Sequence, residues 1–176
     1  MFPLLLACFV SFAQNGTNVY PILNIPVSAR QAALGGDAIS VRDQDVSFAI
    51  ANPSLLNADS DMQLALNATA YLADSKYGTI AFAKDMQNGH FLTANARYMS
   101  YGNIPRTDES GFEMGEFSAS DVAVGAGYAY KFEENWTIGG GLNFITSKID
   151  TLTPSAFWGN PGVTYIHKKK KKTVLL

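Results

Sequence analysis

Reactive chemistry is scarce in this chain. One cysteine, Cys8, stands among 176 residues, so no internal disulfide can form. The only histidines are His90 and His167. Serines such as Ser100 and Ser118 therefore have no obvious partner base, and neither a Ser–His nor a Cys–His arrangement can be drawn. Beyond the N-terminus no apolar run is long enough for an ordinary transmembrane helix, an absence that says nothing against a β-barrel, whose alternating strands escape hydropathy windows. Charge is also thin, at 16% of residues, and the net value of −2 conceals an imbalance. Five of the 13 basic residues are Lys168–Lys172; without them eight face 15 acidic residues, a net −7. An acidic body argues against a nucleic-acid partner.

The two ends read as separate from the fold. Phe2–Ala13 is apolar and ends Ser11-Phe12-Ala13 before Gln14, a small-residue spacing that suits signal peptidase. Residues 1–13 thus read as a signal peptide, one truncated at its start because the Lys/Arg n-region is missing. Leu5-Leu6-Ala7-Cys8 also has the form of a lipoprotein cleavage box, though the apolar stretch before Cys8 is short and continues past it. Residues 167–176 switch abruptly to polylysine. Such a run is ordinarily a solvated basic tail; an adenine-rich stretch of coding sequence gives the same residues where a frame is lost. On the second reading this is a frameshift or truncation tail on an N-terminal fragment.

What the chain does have is alternation. In Asp121–Lys131 one parity reads Val122, Val124, Ala126, Tyr128, Tyr130 and the other Ala123, Gly125, Gly127, Ala129. Successive strand side chains point to opposite faces, so one face is broad and greasy and the other small. The same pattern predicts strands over Met62–Leu72, Tyr77–Lys84, Phe91–Tyr101 and Trp136–Ser147. Their lengths suit a tilted strand crossing a bilayer, which needs about 9–11 residues. Asp85–His90, with Asn88-Gly89, and Lys131–Asn135 are short turns, whereas Gly102–Ser120 is long, polar and acidic. With the N-terminus periplasmic, the short turns fall inside and the long connection outside, as outer-membrane barrels have them. The short outer connection Ala73–Lys76 is the exception. Tyr98, Tyr101, Tyr128, Tyr130, Phe132 and Trp136 gather near strand ends, where an aromatic girdle would place them.

Residues 14–61 precede the first good strand and are expected to pack in a lumen as an irregular plug. Ser28–Leu34 predicts a turn or two of helix ended by Gly35-Gly36, Val41–Ile50 a short strand or a helix, and Asn52-Pro53 a turn. Arg30 and Arg42 lie in this segment, and one or the other is expected to pair with lumen carboxylates and hold the plug; Arg97 takes the inward parity of its strand. Residues 62–149 are then the first strands of a barrel, and 150–166 an outer loop or the start of the next strand.

Three stretches carry a resemblance: Pro26-Val-Ser-Ala-Arg-Gln-Ala-Ala-Leu-Gly-Gly36 with Ile39-Ser-Val-Arg-Asp43, Asn52-Pro-Ser-Leu-Leu56, and Gly115-Glu-Phe-Ser-Ala-Ser-Asp121. Over about Tyr20 to Ile149 the chain resembles the PorV/PorQ outer-membrane family of the type IX secretion system of Bacteroidetes and, more distantly, FadL-type channels. The resemblance implies an all-β fold, an antiparallel transmembrane β-barrel of the FadL (OmpP1) kind with an N-terminal plug, incomplete here because the chain covers only its first half. It implies a non-enzymatic role, anchoring the cell-surface attachment complex for exported cargo. The implied partners are outer-membrane lipid and lipopolysaccharide and proteins resembling PorV, the sortase-like PorU and PorZ. The alternative is a FadL-type channel for hydrophobic small molecules; a soluble β-sandwich or small barrel is a third reading.

No residue is assigned a catalytic, cofactor-binding or metal-ligating role, and no cofactor is expected. His90 reads as a surface turn residue. Asn57-Ala-Asp59-Ser-Asp61 imitates the start of a calcium loop but lacks its glycine and closing glutamate, and Asp43-Gln-Asp45 has the same status. Gly139-Gly-Gly141 has no following Lys-Ser/Thr, so it reads as a strand that permits curvature or close approach by a plug.

Overall fold

The computed structural model describes residues 20–36, 38–71 and 74–166. The expected signal peptide with Cys8, the linker to residue 19, and the lysine tail lie outside them. Among the described residues no helix is long and apolar enough to cross a membrane.

Six strands form one antiparallel sheet in sequence order: β1 (Gln63–Ala70), β2 (Lys76–Asp85), β3 (His90–Thr107), β4 (Glu113–Lys131), β5 (Trp136–Ile149) and β6 (Ser155–Tyr165). All five expected strands are present, and residues 150–166 supply a sixth. The largest departure is the connection Gly102–Ser120. Most of it continues the β3–β4 ladder, with Asn103 opposite Ser118 and Thr107 opposite Glu113. Register shifts between Ser100 and Asn103 and between Pro105 and Thr107 interrupt the two-residue period there, which is why alternation does not mark the extension. Only Asp108–Phe112 remains as a turn, folded around the Asp108 carboxylate, which accepts from the Ser110 and Phe112 backbone N–H groups at 2.9 and 2.8 Å. At the other rim Gln87, Asn88 and Gly89 all take positive φ, the tight reversal that Asn-Gly favours.

The N-terminal segment is a chain of short turns. Its elements are 3-10 turns at Pro21–Asn24, Val46–Ile50, Pro53–Leu55 and Ala58–Ser60, and the helix α1 (Ala29–Ala33). The expected helical turn is there, and so is its stop. Ser28 caps α1 by accepting from the Gln31 N–H, while Gln31 Oε1 reaches back to the Val27 N–H at 2.9 Å. Gly35 and Gly36, both with positive φ, close its end by donating to the Ala32 and Gln31 carbonyls. Of the ambiguous Val41–Ile50, only Val46–Ile50 takes regular form, a 3-10 turn with Asp45 as its cap, and residues 41–45 are irregular.

The segment covers one face of the sheet, and it is the face with the smaller residues. Near the short-turn rim, Val27, Val46, Ala49, Ile50 and Leu56 pack on Ala81, Ala83, Phe91 and Ala129. Toward the opposite rim, Ile22 packs on Tyr77, Met99, Ala123 and Ile145. The chain thus runs along this face to the short-turn rim and enters β1 there. The other face is bare and apolar. Leu66 is 70% exposed, Leu142 77% and Phe157 80%, and Leu64, Ile80, Leu92, Val124, Ile138 and Val163 are exposed with them. Among the described residues the sheet is open, with β1 and β6 at its edges.

Candidate functional site

The seat of the N-terminal segment is made by glycines. Gly139 and Gly162 are direct cross-strand partners on β5 and β6, and Gly127 lies close by on β4. A Cβ at Gly139 would come 2.6 Å from the Ser54 backbone nitrogen, and one at Gly127 would come 3.0 Å from the Pro53 ring. At Gly162 it would collide with Asn52 Oδ1. Three strands therefore give up side chains at the point where Asn52-Pro53-Ser54 lies on them, the close approach that glycine in a strand allows. Gly140, of opposite parity, would meet nothing within 4 Å.

Polar side chains stitch the same interface. Ser54, fully buried, bonds through Oγ to Asn52 Oδ1 and Thr164 Oγ1, each at 2.7 Å. Asn160 donates to the Ile50 and Ala51 carbonyls at 2.9 and 3.0 Å and is itself held by Asn143. Thr79 donates to the Val27 carbonyl at 2.7 Å, and Asn67 donates to Thr79 and Ser47. The Asn160 and Thr79 bonds satisfy backbone carbonyls of the irregular segment.

The arginines divide. Arg30 pairs with Asp43, with Asp45 at 4.0 Å, and lies over the Phe48 ring, so its carboxylates belong to the segment itself and not to the sheet. Local bonds, Asp45 N–H to Asp43 and Ser47 N–H to Asp45, fold those two acids back toward α1. Arg42 likewise has a carboxylate of its own segment beside it: burial pushes its guanidinium down from the ordinary arginine range and Asp59 opposes that shift. Arg97 does face inward and is 6% exposed. Asp43-Gln-Asp45 and Asn57-Ala-Asp59 serve as local caps, and Asp61 accepts from the Asp85 N–H. Among the described residues no three His, Cys, Asp or Glu side chains converge as metal ligands would.

The aromatic residues also divide. His90 sits at the short-turn rim, bonded to the Tyr128 hydroxyl at 2.5 Å and stacked on Tyr130, and Phe132, Trp136 and Tyr165 continue the belt. Tyr101 does not belong with them. It lies on the inward parity and donates to Asp121, a carboxylate only 1% exposed. Counting parity from Arg97 would have placed Tyr101 inside. Asp121 shares the parity of Ala123, so the same count would have placed it inside as well; its partner is what the local pattern does not record.

No family model matches the chain, and no curated protein matches it.

Proposed function

We propose that this chain forms part of an outer-membrane β-barrel with its N-terminal segment as lumen plug, and that the barrel is a non-enzymatic component of the type IX secretion system of the PorQ kind. One observation carries the membrane reading: the covering segment lies on the small, polar face and leaves the large apolar face bare. A soluble two-layer protein does the reverse, burying its greasiest face against the second layer. In a bilayer the bare face meets hydrocarbon and the covered face lines the lumen. The belt from His90 to Tyr165 suits headgroup depth, where amphipathic rings settle. Free edges at β1 and β6 are prohibitive in lipid, so the proposal requires further strands to close the barrel.

The secretion role rests on the resemblance of Pro26–Gly36, Asn52–Leu56 and Gly115–Asp121. Asn52–Leu56 coincides with the turn seated on the glycines, so the motif has a structural task here. The outward β3–β4 extension, carrying Glu113 and Glu116 beside exposed Phe112 and Met114, is the candidate contact for the attachment complex. A FadL-type channel would need an apolar lumen pocket at the plug. The cavity of about 170 Å³ beside Arg97 and Asn160 is polar, but one of about 330 Å³ between Pro21 and Tyr101, Ile104, Phe117 and Ile149 is mainly apolar. The channel therefore stands as the second reading, and uptake or ligand-binding assays separate the two.

The test has two arms. Carbonate washing of membranes should leave the protein in the pellet, with a heat-modifiable gel mobility; recovery in the wash with no heat shift would end the barrel reading. Deleting the β3–β4 extension should abolish co-purification of partner proteins without releasing the barrel, and unchanged recovery would remove it from the interface.

A further inference from the structure

We propose that the cavity between the N-terminal segment and the sheet binds a small monocarboxylate, held by Arg97. The inference goes beyond the secretion role and rests only on how the segment packs on the sheet.

The cavity measures about 170 Å³ and is bounded by the chain from Leu23 to Val27, by Gln31 and Ala51, and by Trp158 and Asn160 of β6, with Arg97 reaching it from β3. Arg97 is 94% buried, and its Nε has no hydrogen-bond partner. Among the described residues its side-chain neighbour is Tyr77, a neutral hydroxyl on the adjacent strand. Among the described residues the arginines in ion pairs are Arg30 and Arg106, each with an aspartate; Arg97 has none. A guanidinium cannot shed its proton to relieve this. A buried cation without a counter-charge is strongly unfavourable, and the natural complement of its fork is a carboxylate.

Charge and size narrow the ligand. Among the described lining residues Arg97 is the one charged group, which matches a single negative charge and favours a carboxylate over a phosphate dianion. The volume equals roughly five or six waters at about 30 Å³ each. That accommodates a carboxylate with a few carbons. Leu23, Ile25 and Ile50 supply an apolar wall for the body of such a ligand. Asn160 is spent on the Ile50 and Ala51 carbonyls and on Asn143, so orientation falls to Arg97.

The probe is butyrate, titrated calorimetrically into the full-length protein extracted in a non-ionic detergent. Saturable binding is expected, with inorganic phosphate and butylammonium failing to bind. Arg97→Gln should weaken butyrate at least tenfold, and Arg97→Lys should weaken it less, since it keeps charge but loses the fork. Ile39 lies exposed on the cavity's edge, so Ile39→Trp should also weaken binding at least tenfold without touching the buried packing. If Arg97→Gln does not fold, slowed modification of Arg97 by phenylglyoxal in the presence of butyrate supports the site in the unaltered protein. No saturable butyrate binding, equal binding by phosphate, or undiminished binding in Ile39→Trp or in a folded Arg97→Gln would overturn the proposal.

Discussion

A side chain at Gly139 has nowhere to go. Gly139→Val places carbon against the Ser54 backbone, which cannot swing aside as a flexible side chain would, and overpacking of this kind costs about 1–3 kcal/mol. Limited proteolysis should then cut residues 20–61 faster, whereas Gly140→Val on the opposite face should leave the cleavage rate unchanged. Ser54→Ala should cost about 1 kcal/mol, because Thr164 and Asn52 each lose a buried partner. Arg30→Ala should change protection by less, since its pair with Asp43 is half exposed and such pairs are worth about 0–1 kcal/mol. The triplet Gly139–Gly141 was legible as a place of close approach. Which glycine receives the segment was not, because Gly127 and Gly162 join Gly139 only once three strands are in register. The bond of Asp121 to Tyr101 was equally hidden, since it depends on a pairing across β3 and β4.

At the scale of elements, strands were easiest to read where one face is bare and the other covered, because that contrast imposes the alternation. Tyr77–Lys84 and Trp136–Ser147 lie within a few residues of β2 and β5. The pattern fails in the β3–β4 extension, where bulges shift the register and both faces are exposed, so selection on polarity has no period. Backbone pairing and the Asp108 turn hold this hairpin, aided by the exposed Arg106–Asp150 pair and Arg106 over Phe117. Between Asn103 and Phe117 no residue is buried. Replacing this stretch with a short turn should therefore leave the temperature of the heat-modifiable gel shift unchanged while removing a candidate contact surface. The N-terminal segment was legible at its stops, Ser28, Gly35-Gly36 and Asn52-Pro53, which act locally. Its path across the sheet is set by long-range contacts such as Ile22 on Ile145, which no local pattern records.

For the whole molecule, the decisive property is which side of the sheet is left bare. Exposure of Val124, Leu142, Phe157 and Val163 on one continuous face would promote aggregation in water and is the normal state in hydrocarbon. Leu142→Arg should cost about 2–4 kcal/mol in a bilayer if the site lies near mid-depth, read as loss of assembled, heat-modifiable protein; the same change on a water-facing surface would cost almost nothing. Spin labels at Val124 and Leu142, with Ala123 as the covered-face control, test the central claim most directly. The account predicts high collision rates with oxygen and low rates with a water-soluble nickel complex at Val124 and Leu142 in membranes. Free access of the nickel complex to both positions would contradict it.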